Sequence, residues 1–147
     1  MDHKFDSFSD LLRAALGEKL APSDSLLGMF DEDVVFEFPY APEGLPKRLD
    51  GVGALDAHLQ KLGPLIDFGP MVLGTVHAAG DTIIFEFSCT GKGVRTGAPY
   101  DQDYISVVTL RDGRIMRYRD YWNPTVVLTA LGGREAAAAA YAEEVPA

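Results

Sequence analysis

Cysteine is nearly absent: Cys89 stands alone among 147 residues, so no internal disulfide can form. With only three scattered histidines, His3, His58 and His77, a closed structural zinc site is not expected either. Positive charge is also scarce. Thirteen Lys and Arg face twenty-two Asp and Glu, a net charge of -9, which argues against nucleic acid or an anionic membrane as partner. Long apolar runs are missing, and the first residues, MDHKFDSFSD, are acidic where a secretory signal is basic and then apolar. A cytoplasmic location follows as the expectation. There is no GxGxxG entering a helix, no phosphate loop, no HExxH and no Cys–His cluster, so neither a cofactor nor a metal is expected.

What is present is an ordinary globular mixture, 47% hydrophobic and 24% charged, long enough to bury a core without covalent help. Residues 1–132 read as one domain. Residues 133–147 begin at the second glycine of Gly132-Gly133 and read REAAAAAYAEE in their middle, a frayed helix or disordered tail whose one large apolar side chain is Tyr141. Phe5, Phe8, Leu11, Leu12, Ala15 and Leu16 recur at helical spacing. Ser23 or Asp24 is placed to cap a second short helix through Phe30, before a strand at 34–38. Prolines 39, 42 and 46 make the next stretch a loop, and Leu55, His58, Leu59 and Leu62 then mark a helix stopped by Gly63-Pro64. From there the period becomes two, predicting strands at about 66–77, 82–92, 100–111 and 114–122, with Asp112-Gly113 as a hairpin turn. Asn123-Pro124 caps and opens a last domain helix through Leu131. Helices first and strands afterwards mean α+β, expected as a cone-shaped curved antiparallel sheet with helices packed on its concave face.

This order, with Tyr104-Ile-Ser-Val-Val-Thr-Leu-Arg-Asp-Gly-Arg-Ile followed by Tyr118-Arg-Asp-Tyr-Trp-Asn, resembles the SnoaL-like branch of the nuclear transport factor two superfamily, over about Phe8 to Leu131. That superfamily has a cystatin-like fold and contains ketosteroid isomerase, polyketide cyclases, limonene epoxide hydrolase, phenazine-biosynthesis A/B proteins and binding proteins without catalysis. No signature here is diagnostic of one reaction. The resemblance implies a homodimer joined through the outer face of the sheet.

Candidate chemistry starts at Asp120, which shares strand parity with Tyr118 and Trp122, while Arg117, Arg119 and Tyr121 take the other face. An acid among aromatic rings has a raised pKa, useful for moving protons; the bland alternative is a salt bridge on the sheet rim. The position resembles the acidic residue that the cyclases and phenazine proteins use as a proton shuttle. His58 lies on the apolar stripe of its helix, either as a satisfied core residue or, as the resemblance implies, facing the pocket to bind substrate or pair with Asp120. Tyr100, Gln102, Tyr104 and Ser106 share one strand face, either a substrate-orienting wall or a dimer contact. Phe38, Pro39, Tyr40 and Leu45 are expected as a hydrophobic lip, and Glu86 and Glu37 as partners for arginines across the strands. Tyr40, Tyr100, Gln102, Tyr104, Tyr118 and Trp122 are thus the expected substrate-binding set, with Asp120 and His58 catalytic. The leading reading is a cofactor-independent isomerase or cyclase acting on a small apolar carbonyl or polycyclic compound; the alternative is a non-catalytic module binding a small apolar ligand. An epoxide hydrolase needs an arginine beside the acid, and strand parity points Arg117 and Arg119 away from it.

Overall fold

The computed structural model describes residues 4–143; His3 lies outside them, as do the last four residues of the expected tail. Chain order is β1 (Lys4–Phe5), α1 (Phe8–Leu16), β2 (Phe30–Glu37), β3 (Arg48–Asp50), α2 (Val52–Leu62), β4 (Ile66–Ala79), β5 (Thr82–Gly93), β6 (Gln102–Arg111), β7 (Arg114–Trp122), α3 (Pro124–Leu131) and α4 (Arg134–Ala142). Local chemistry accounts for most boundaries. Ser7 caps α1 by accepting from the Asp10 N–H at 3.1 Å, and Asn123 caps α3 by accepting from Thr125 N–H at 2.9 Å, with Pro124 pre-set for the first turn. At the β6–β7 hairpin both Asp112 and Gly113 have positive φ, 53° and 78°, as a two-residue turn matched to strand twist requires. The expected second helix is reduced to a single 3-10 turn at Leu27–Met29, and β2 starts at Phe30, four residues earlier than its apolar alternation suggests.

The strands form one seven-stranded sheet in the order β1-β4-β5-β6-β7-β2-β3. Every neighbouring pair is antiparallel except β2 with β7, which run parallel with Phe36 opposite Tyr118 and Glu37 opposite Arg119. The expected cone is corrected here: the sheet is not strongly curled or closed, and it ends in two separate edges, β1 and β3, that do not meet. A period-two pattern reports which side of a strand is apolar and carries no information on how far the sheet curls. The architecture is an open mixed α+β layer.

Register places Phe85 opposite Ser106, Phe87 opposite Tyr104, Ser106 opposite Asp120 and Val108 opposite Tyr118, so these residues share the inner face. α1 covers this face near β4 and β5, α2 lies against β2 and β3, and α3 against β5. Leu11, Leu12, Leu55, Phe85, Val108, Ile115 and Tyr118 are the buried centre, each apolar side chain contributing roughly 1.5–3 kcal/mol by leaving water. The alanine-rich segment is the helix α4, and it docks on the domain with Ala137 buried. No helix among the described residues is long and apolar enough to cross a membrane.

Candidate functional site

Between the inner sheet face and helices α2, α3 and α4 lies a cavity of about 350 Å³. Its walls are aromatic and aliphatic: Phe36 and Phe38 from the β2 end, Phe87 and Trp122 from the sheet, Leu55 and Leu59 from α2. Polar groups enter it from only a few side chains, Asp120, His58, Tyr100, Tyr104 and Tyr141, and no lysine or arginine among the described residues lines it. A concave, mostly apolar space with a few convergent polar groups is the usual form of a small-molecule site.

Asp120 sits near the end of β7. The residue as a whole is partly buried, yet its Oδ1 is sealed from solvent and has no hydrogen-bond partner. Desolvation pushes its carboxyl up to about 8, and the Ser106 hydroxyl, directly across on β6, is the group that opposes the rise by favouring the charged form. The nearby arginines do not relieve it. Arg117 donates to Glu37 at 2.8 Å on the opposite face, and Arg119 lies 4.0 Å from the same carboxylate. Glu37 therefore takes the arginines, and Glu86, across the sheet on β5, does not.

His58 is buried on α2, with Phe38 at 4.9 Å between ring centroids. Burial, reinforced by the charge of Lys61, lowers its pKa to about 4, so the ring is neutral near pH 7. Its Nδ1 is 2.7 Å from the hydroxyl of Tyr141 on α4. The pairing with Asp120 that the family resemblance implied is not made by hydrogen bond: His58 is bound to Tyr141, and Asp120 Oδ1 is unpartnered.

Of the expected substrate-binding residues, Tyr100, Tyr104 and Trp122 line the cavity. The Tyr100 and Tyr104 hydroxyls are 2.6 Å apart, and burial holds both phenols above their ordinary pKa, keeping them neutral hydrogen-bonding groups. Three others are placed elsewhere. Gln102 is used up structurally: its Nε2 donates to the Asn123 carbonyl at 2.9 Å and its Oε1 accepts from Asn123 N–H at 2.8 Å, tying β6 to the start of α3. Tyr118 is wholly buried beneath the site, stacked on Phe36 at 4.3 Å, with its hydroxyl 2.6 Å from Ser106 Oγ. Tyr40 is 61% exposed and turns to the outer face, edge-on to Tyr121 at 5.4 Å, because the chain reverses just after β2. Of the four residues expected as a lip, Phe38 and Leu45 line the cavity, together with Pro46, and Pro39 and Tyr40 do not. Burial pushes the Cys89 thiol up to about 11, consistent with a packed residue. The residue that sequence reasoning left out is Tyr141; its one signal was being the sole aromatic in an alanine run.

The SnoaL-like domain pattern matches residues 13–118. Over 134 residues, 89% of this chain and 91% of the relative, the chain is 44% identical to the uncharacterised protein YesE of Bacillus subtilis. It is 40% identical over 111 residues, 75% of this chain and 79% of the relative, to an uncharacterised PhzA/B-like protein of Pseudomonas aeruginosa. The crystal structure named "Putative Isomerase from Bacillus subtilis" superposes with a TM-score of 0.71 at 44% identity, covering 83% of this chain and 86% of that one. An apolar cavity under a mixed sheet, the match over most of the chain and these relatives lead to one assignment: the chain belongs to the SnoaL-like family.

Proposed function

We propose that the protein is a cofactor-independent isomerase or cyclase that binds a small, largely apolar carbonyl compound in the inner cavity and moves a proton with Asp120. One observation supports this above the others: a carboxyl group in the wall of a mostly apolar cavity, with one of its oxygens sealed from solvent and without a hydrogen-bond partner. With the carboxyl pushed up to about 8, roughly a tenth is ionised at pH 7, so both the base and the acid form are available, and the ionised form is a stronger base than an ordinary carboxylate. Ionised Asp120 takes a proton from the carbon next to the carbonyl. The electron pair of that C–H bond moves into the enolate, whose oxygen accepts a hydrogen bond from a neutral donor, the Tyr100–Tyr104 pair or His58. The proton then returns from Asp120 to a different carbon or to oxygen.

A second reading rests on the same group. At neutral pH most Asp120 is a neutral acid, a hydrogen-bond donor suited to holding a ligand carbonyl without turnover. Deuterium uptake at the acidic α-carbon of 2-tetralone in heavy water, followed by NMR, separates the two. Catalysed exchange that Asp120→Asn lowers by about a hundredfold or more supports the enzyme. Saturable binding with no catalysed exchange supports the binding module, and full exchange by Asp120→Asn would exclude Asp120 as the proton carrier.

Assembly is proposed on separate grounds. The outer sheet face presents Val72, Ile105 and Tyr121 beside the exposed Tyr40, with the acidic Glu86 and Asp103 among them, and this mixed face is the one proposed to join a second copy of the chain.

A further inference from the structure

His58 reaches the cavity with one ring nitrogen already engaged. Nδ1 lies 2.7 Å from the Tyr141 hydroxyl, and no described residue is hydrogen-bonded to Nε2. A neutral imidazole carries one proton, on one nitrogen or the other. A phenol is the more acidic donor and an unprotonated imidazole nitrogen the better acceptor, so the bond runs from Tyr141 O–H to Nδ1 and the ring proton sits on Nε2.

Tyr141 is held for this contact from several directions. Lys61 donates to its carbonyl at 2.9 Å and places its ammonium 4.6 Å from the ring centroid. Two residues on, Glu143 accepts two hydrogen bonds from Arg95, at 3.0 and 2.6 Å, which fixes the end of α4 against the loop after β5. The alanine helix itself offers little to pack beyond Ala137, so its one aromatic supplies both the docking and the contact with His58.

We propose that Tyr141 is a positioning residue of the cavity: its hydroxyl, bonded to Nδ1 of His58, selects the ring tautomer whose Nε2–H is free to donate to the oxygen of a bound carbonyl compound. What Nε2–H meets rests on the function proposed above; the tautomer itself does not.

Two-bond proton–nitrogen correlation spectra of nitrogen-labelled protein test this directly. In the native chain Nδ1 of His58 is expected at the shift of an unprotonated nitrogen and Nε2 at that of a protonated one. In Tyr141→Phe, which keeps the ring and loses only the hydroxyl, both signals move toward the averaged values of exchanging tautomers. Arg95→Ala, which removes the ion pair at the end of α4 but leaves the hydroxyl, keeps the native pattern, so a general loosening of the helix is separable from loss of the bond. An unchanged pattern in Tyr141→Phe, or a native ring protonated on Nδ1, overturns the proposal. With 2-tetralone, Tyr141→Phe is expected to lower the exchange rate constant about tenfold at saturation, with little change in KM. A tautomer shift accompanied by no exchange in either protein would sustain the positioning role and sink the catalytic reading.

Discussion

Ser106 stands directly opposite Asp120 on the neighbouring strand, yet its hydroxyl lies 2.6 Å from the phenol oxygen of Tyr118. The serine is bonded to Tyr118, which needs a partner to be buried at all, and from its place across the strand it also favours ionisation of Asp120.

That double role makes two substitutions move Asp120 in opposite directions. Ser106→Ala removes the group that favours the carboxylate, so the Asp120 titration moves above its present value of about 8. It also strands the Tyr118 hydroxyl, at a cost of about 1–3 kcal/mol in stability. Tyr118→Phe frees the serine to donate to Asp120 and lowers the titration. Carbon-13 NMR of the Asp120 carboxyl against pH reads both; shifts of the same sign would show that the serine does not have both roles.

Asp120 and His58 together shape stability against pH. Asp120 is raised from 3.8 to about 8 and His58 lowered from 6.5 to about 4. Between pH 4 and 6.5 the unfolded chain has an ionised aspartate and a protonated histidine, whereas the native chain has both groups neutral. The proton counts are equal, and the two groups contribute no slope. From 6.5 to 8 the native state holds one proton more, so stability falls with rising pH by about 1.4 kcal/mol per unit, levelling off beyond 8. In Asp120→Asn only the histidine remains, and stability rises from pH 4 to 6.5 and is then flat. In His58→Phe it falls from pH 4 to 8. Urea unfolding across this range distinguishes the three curves, and parallel curves would contradict the burial of these groups.

Gly44 holds the lip loop against α4. Its φ is +94°, and an added Cβ would come within 2.6 Å of the Ala138 side chain. Gly44→Ala is expected to cost about 1–2 kcal/mol for the backbone alone. The clash also pushes on α4, so amide exchange across Arg134–Ala142 accelerates more than exchange in the central strands. Uniform acceleration would mean that the loop and α4 are not coupled.

Ile105 is 45% exposed on the outer face of β6. If that face joins two copies, Ile105→Lys weakens the dimer by at least tenfold in sedimentation velocity while leaving the melting curve of the separated chain within about 0.5 kcal/mol. An unchanged dimer places the interface elsewhere.

Sequence alone determined the parts governed by local periodicity and local capping. Strands β4 to β7, the Asp112-Gly113 hairpin, the Asn123 cap and the separation of Asp120 from Arg117 and Arg119 all follow from residues a few positions apart. Tertiary structure decided what depends on distant partners. Whether the sheet closes is set by the pairing of β2 with β7 and by edges that never meet, and no strand's own pattern encodes that. Gln102 and Tyr118 share strand faces with the cavity residues, but the neighbours that claimed their polar atoms, Asn123 and Ser106, were not identifiable before the chain was packed. His58 found its hydrogen-bond partner 83 residues away, in a helix whose composition carries almost no signal of where it docks. Burial turns a side chain's chemistry over to whichever groups surround it, and those groups are assembled by the fold.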